Sequence, residues 1–157
     1  IRPWQLVLGK LFPFACVGFL DTLLVSAVAV GLFRVPLRGS LALLVLLTVP
    51  FLLCTLGLGL LVSTLVRTQQ QAMMSAVYLV MVPMIYLSGL IFPVENMPSI
   101  IQRVTVVIPL KYYAHIIRGI FLKGSGLDVL WPDAAALLVI GATVLTAASL
   151  RFRKSLD

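Results

Sequence analysis

The chain is poor in charge and poorer still in chemical handles. Only 11% of its 157 residues are charged, five of them acidic, and it has one histidine and two cysteines. An average soluble domain carries about 25% charged residues. With 61% hydrophobic residues and a mean hydropathy of +1.14, this sequence falls in the membrane class before any motif is considered. The lone His115 excludes an HExxH zinc site and a His-rich metal centre. There is no GxxxxGKS or GxxxxGKT phosphate loop, which excludes ATP binding by that route. Ser88-Gly89 lacks the preceding glycine of a GxSG protease motif, since Tyr86 stands there. Cys16 and Cys54 lie inside apolar runs without CxxC pairing and read as buried small hydrophobes. The N-terminus lacks the basic, apolar, small-residue order of a cleavable signal, and it opens at Ile1 in mid-pattern. The expectation is the C-terminal part of a longer polypeptide.

What is present is a series of apolar runs long enough to cross a bilayer, which takes about 20 residues. Four spans are predicted over about 11–33, 41–66, 72–92 and 133–150, in an all-α polytopic fold. Pro13 is placed in the first turn of span A, Pro50 kinks span B, and Pro83 lies within span C. Gly57, Gly59 and Ser63 either let another helix approach span B or reflect the abundance of small residues in apolar helices. Met73, Met74, Met81 and Met84 read as core packing in span C before soft-metal ligation. Trp4 and Trp131 suit membrane–water boundaries.

Between the last two spans the pattern breaks. Lys111, His115 and Arg118 share one helical face, with Tyr113, Ile116, Ile117 and Ile120 opposite. Each cation at a bilayer centre costs up to roughly 2.5–3.5 kcal/mol. Two short helices joined near Pro109 therefore fit better than a fifth span. They make a re-entrant or surface-lying hairpin over about 96–124, in which Asn96 caps the first helix and Glu95 occupies the preceding turn.

Four spans put both termini on one side. That side carries six basic residues (Arg2, Lys10, Arg67, Arg151, Arg153, Lys154), and so does the other (Arg34, Arg38, Arg103, Lys111, Arg118, Lys123). Setting the amphipathic segment aside gives six to two and cytoplasmic termini. The net charge of +7 resides at span ends and in the hairpin, so it points to lipid headgroups and topology instead of nucleic acid. Asp21, well inside span A, is a candidate for a transport path facing a water route or the bundle interior. The alternative is a helix-to-helix hydrogen bond made by a protonated acid, with Thr48 and Thr55 of span B as possible partners.

Several stretches in order and spacing, RPWQLVLGK, VPLRGS, LVSTLVRTQQQAM, SGLIFPVENMP, IPLKYYAHIIRGIFLKG and RFRKSLD, resemble the C-terminal part of bacterial type-2 ABC exporter permeases. The resemblance implies a six-span subunit of which this chain supplies the last four spans. The first two spans, an extracytoplasmic domain and a cytoplasmic coupling helix would precede Ile1. It implies a second permease copy as partner, homo- or heterodimeric, and a separate ABC ATPase that binds ATP and Mg, leaving no cofactor and no catalysis in this chain. The setting would be the bacterial inner membrane and the activity efflux of a hydrophobic or amphipathic substrate. The hairpin residues Glu95, Lys111, His115 and Arg118 would then be external, and Asp21, Thr48 and Thr55 would belong to the path or a helix interface. A non-transporting scaffold or channel-like bundle is the alternative, distinguished by the absence of an ATPase partner.

Overall fold

The computed structural model describes residues 2–154; Ile1 and the last three residues of the basic tail, 155–157, lie outside the described residues. All regular elements among them are helical. Helix α1, Pro3–Gly31, begins well before the expected Leu11. The Gln5 side chain accepts the Arg2 backbone N–H at 3.2 Å and secures the first turn there. Pro13 consequently lies in the helix interior, not in its first turn, and cannot donate to the carbonyl four residues back. The helix ends where Arg34 takes a φ of 52°. Helix α2, Leu41–Leu65, starts at Ser40, whose hydroxyl accepts from the Leu43 N–H at 3.4 Å.

Helix α3, Gln69–Leu87, is capped by the Thr68 hydroxyl, which accepts from the Gln71 N–H at 3.2 Å. Its middle widens into a π-helical stretch, Ala76–Met81, just before Pro83, which has no N–H to continue the ladder. The helix stops at Leu87 instead of Phe92. The Ser88 hydroxyl donates to the Ile85 carbonyl and accepts from the Leu90 N–H, and Gly89 turns the chain with a φ of 83°. Ser88-Gly89 is therefore a helix stop. Two short helices follow, α4 (Ser99–Thr105) and α5 (Pro109–Lys123), inclined at 78°. The last helix, α6, runs over Leu127–Lys154 and so begins before the expected residue 133.

α1, α2, α3 and α6 are each long and apolar enough to cross a membrane. α1 alone measures about 44 Å at about 1.5 Å per residue. α2 packs along α6, with α1 against their flank. Glycine permits the close approach of α2 and α6. A Cβ on Gly57 would lie 3.1 Å from Val144 Cγ1, and one on Gly141 would lie 3.2 Å from Cys54 Sγ. Gly59 has no neighbour within 4 Å, so only part of the small-residue pattern is an interface. Cys54 is buried there as expected, its thiol 3.0 Å from the Leu137 carbonyl. Cys16 is exposed on α1 instead. None of α3's residues is buried within the chain, and Met73, Met74 and Met81 are exposed, which corrects the core-packing expectation for them.

The hairpin's depth can be read from its contacts with α2. Near the start of α5, Tyr113 meets Thr48 and stacks on Phe51, ring centroids 4.1 Å apart. Near its end, the Phe121 and Ile120 carbonyls accept from the N–H groups of Arg38 (3.2 Å) and Gly39 (2.8 Å), just before α2 begins. α5 thus runs antiparallel to α2. It climbs roughly 12 Å from Tyr113 to Phe121, toward the end of the bundle where the α1–α2 loop lies. That is less than half of a hydrocarbon core of about 30 Å. The bent helix pair, which by length and composition alone could count as a fifth span, thus reaches less than half that depth along α2. Lys10 Nζ lies 6.0 Å from the Phe152 ring centroid, so the first part of α1 and the last part of α6 meet at the other end of the bundle.

Gly39 is the tightest point of this seat. A Cβ there would lie 2.7 Å from the Ile120 carbonyl oxygen and 3.2 Å from Ile120 Cα, both backbone atoms. Gly39→Ala is expected to cost about 1–3 kcal/mol, read as a lower unfolding temperature in detergent. Gly59→Ala should leave that temperature unchanged or slightly raised, because alanine is the better helix former. Equal effects of the two substitutions would contradict the seat.

Candidate functional site

The hairpin borders several cavities at its end of the bundle, and two of them gather most of the residues singled out by the sequence. One, of about 420 Å³, lies between α1, α2 and α5. Its wall is mostly apolar; Asp21, Thr22, Ser26 and Arg118 are its polar residues, and Phe51, Tyr113 and Phe121 its aromatic ones. The other, of about 590 Å³, lies between the segment after α3 and the polar side of α5. Glu95, Lys111, Tyr112, His115, Arg118 and Asp133 surround it.

In the apolar cavity the hydroxyls are committed to internal bonds. Thr22 donates to the Gly18 carbonyl (2.9 Å) and Ser26 to the Thr22 carbonyl (2.7 Å). Thr48 donates to the Leu44 carbonyl at 2.7 Å, so the 2.9 Å contact between its Oγ1 and the Tyr113 hydroxyl is donated by Tyr113. Thr48 is fully buried, which makes this bond a fixed link between α2 and α5. Thr55 lies deeper and turns its hydroxyl to the Phe51 and Leu52 carbonyls of its own helix, at 3.1 and 3.2 Å. Neither threonine partners Asp21. Asp21 is exposed on the cavity side of α1 and has no hydrogen bond or ion pair among the described residues.

On the polar side of α5 the cations face other parts of the same chain. Lys111 Nζ reaches the Thr105 hydroxyl at 3.4 Å, tying α5 back to α4. His115 Nδ1 and Asp133 Oδ2 are 2.5 Å apart, joining α5 to α6. The histidine side chain is 59% exposed and the acid 16%, so the pair is solvated on one side and worth at most about 1 kcal/mol. The Tyr112 hydroxyl donates to the Val106 carbonyl at 2.7 Å. Partial burial, and secondarily the Asp133 charge, hold that phenol above its ordinary pKa, which keeps the donor protonated. Arg118 borders both cavities and has no hydrogen-bond partner among the described residues. Glu95 is exposed in the 3₁₀ turn Val94–Asn96, and the Gln102 side chain donates to the Met97 carbonyl at 2.8 Å to fold that turn onto α4. Asn96 does not cap α4, because Pro98 holds the N-cap position and offers no side-chain acceptor.

The sequence reading named Asp21, Thr48, Thr55, Glu95, Lys111, His115 and Arg118. The structure brings Asp21 and Arg118 to one cavity and Glu95, Lys111, His115 and Arg118 to the other. Thr48 lies in the α2–α5 contact, and Thr55 lies outside both cavities. Tyr113, Phe51 and Asp133 were missed as site residues. Tyr113 stood among the aliphatic residues of the apolar face, and Asp133 looked like the first residue of a span. The readable signal was that a tyrosine on a buried face requires a partner for its hydroxyl. No group of three His, Cys, Asp or Glu side chains able to hold a metal occurs among the described residues.

Four helices long and apolar enough to cross a membrane, with no strand among the described residues, define an all-α polytopic membrane protein. The family of ABC-2 type transporters matches residues 1–122, and the chain belongs to it. It is 39% identical over 98% of its length to the "Probable multidrug ABC transporter permease YbhR" of Escherichia coli K12, covering 42% of that protein. It is 40% identical over 90% of its length to the same organism's "Probable multidrug ABC transporter permease YbhS", covering 39% of it. To its "Inner membrane transport permease YhhJ" it is 30% identical over 99% of its length, covering 42%. The chain thus spans about two fifths of these curated relatives. No solved structure shows a significant match.

The link between Tyr113 and Thr48 leads to a graded expectation. Tyr113→Phe removes one hydrogen bond but keeps the stacked ring, for a loss of about 0.6–1.5 kcal/mol. Tyr113→Ala also empties the ring's volume, for about 3–5 kcal/mol. Chemical or thermal unfolding in detergent checks the order. A phenylalanine variant as unstable as the alanine one would contradict the stacking.

Proposed function

We propose that this chain is the C-terminal membrane part of a permease subunit in an ATP-driven exporter of hydrophobic or amphipathic molecules. The observation that carries the reading is the family match over residues 1–122, on a bundle of four long apolar helices whose helical hairpin borders two open cavities. The names of the E. coli relatives, multidrug and transport permeases, agree with it. In this reading the chain holds no nucleotide. ATP and Mg bind a separate ABC ATPase subunit, and a second permease copy completes the pathway across the bacterial inner membrane. Both ends of the chain lie in the cytoplasm and the hairpin lies outside, in keeping with the six-to-two excess of basic residues once the hairpin is set aside.

The division of labour follows from the shape. The ends of the chain lie at the face opposite the hairpin, where motion of an attached ATPase would enter. α2 and α6 are locked together through Gly57 and Gly141 and form a rigid spine. α3, with nothing buried within the chain, is left to pack against other partners and to move relative to that spine. The hairpin, joined to α2 and α6 at separate points, bounds the external end of the path.

Purification from native membranes under mild detergent is expected to recover an ABC ATPase in stoichiometric amount. Vesicles holding that complex should accumulate an amphipathic substrate with ATP and lose the accumulation with vanadate. Recovery of the permease with no ATPase, together with ATP-independent flux, would place the chain among channels or scaffolds.

A further inference from the structure

The apolar cavity contains an acid with no hydrogen bond or ion pair among the described residues. Asp21 is the only acidic residue on its wall. A Cβ on Gly18 would lie 2.6 Å from Leu52 Cδ2, so α1 crosses α2 there. One turn further along α1, Asp21 is level with the Tyr113–Phe51 stack. That puts it roughly 12 Å below Ala29, where the Val35 N–H bonds back to close α1 at the loop end. A carboxyl group at such depth is costly, and its ionised form persists where a cation or water reaches it. The threonine, serine and tyrosine hydroxyls around it are already spent on internal bonds. Among the described residues the one cation on the wall is Arg118, on α5 five residues after Tyr113 and therefore nearer the loop end.

From this arrangement we infer that the cavity is a binding site for an amphipathic organic cation. Its charged nitrogen or phosphorus centre would sit at Asp21 and its apolar body against Phe51, Tyr113 and Val25. Charge and shape support the assignment. Asp21 attracts a cation to the floor, while Arg118 repels it from the mouth and thereby sets the direction in which the ligand lies. The Phe51 and Tyr113 rings line its mostly apolar wall, and aromatic rings also attract cations. A volume of about 420 Å³ falls within the usual range for small-molecule pockets. The inference names a substrate class for the exporter proposed above and rests on that reading for its physiological meaning. The binding itself can be measured independently.

The test uses the full chain as the cell makes it, reconstituted in lipid nanodiscs, with empty nanodiscs correcting for partition into lipid. The probes are tetraphenylphosphonium and tetraphenylborate, matched in shape and opposite in charge. The wild type should bind the phosphonium at least about tenfold more tightly than the borate. Asp21→Asn should lose about tenfold in phosphonium affinity, and Asp21→Glu should keep most of it. Val25→Trp, which fills the cavity from an exposed position, should abolish binding while leaving the unfolding temperature unchanged. Equal affinity for the two probes, or an Asp21→Asn variant that binds the phosphonium like wild type, would overturn the site. If Asp21-dependent binding persists while ATP drives no flux, the site stands and the exporter reading fails. ATP-driven flux with phosphonium binding indifferent to Asp21 has the reverse meaning.

Discussion

The antiparallel seating of α5 along α2 is the constraint on which the rest of this structure depends. It is fixed at two levels. Deep in the bundle, the Tyr113 hydroxyl donates to a fully buried threonine and its ring lies flat on Phe51. At the surface, carbonyls near the end of α5, which have no helical partner, take their hydrogen bonds from the loop before α2. Side chains thus hold α5 near its start, and backbone hydrogen bonds hold it near its end. Pairing those carbonyls removes a cost that a short, broken piece of backbone would carry at membrane depth, where every unpaired N–H or C=O costs several kcal/mol.

From that seating the functional geometry follows. Because α5 stands against α2, its apolar side closes one wall of a cavity whose floor carries Asp21. Its polar side faces Asp133 and the turn after α3. A fifth crossing in its place would have put Lys111, His115 and Arg118 into hydrocarbon. A surface-lying helix would have left Tyr113 without Thr48. The hairpin meets both demands, with Lys111 and His115 toward the more polar cavity, Arg118 bordering both, and its aliphatic residues in the core. Ile116 and Ile120 are fully buried.

Much of this was legible in the sequence. The four apolar runs, the amphipathic faces of residues 109–120 and the break at Pro109 are local signals, and the structure follows them. Boundaries were less legible. α1 and α6 extend past the apolar runs because caps and ordinary helix propensity, which hydropathy does not measure, carry them into the interface. α3 stops early because Gly89 turns the chain, although Ile91 and Phe92 remain apolar. Asp21 stood out because charge in a span is rare, but its relation to Thr48 and Thr55 could not be read. That relation depends on which faces of α1 and α2 meet, and both helices are apolar all round. Tyr113 was hidden for the same reason. A hydrogen bond between residues 48 and 113 leaves no trace in local pattern.

The central claim, that the chain enters and leaves the membrane by one face between α3 and α6, is tested most directly by accessibility in cells. In a background with Cys16 and Cys54 replaced by alanine, single cysteines at Ser99 and Ser125 flank the hairpin. Both should react with a membrane-impermeant maleimide from the same side, at comparable rates. Reaction of the two from opposite sides would make α4 and α5 a fifth crossing and contradict the account.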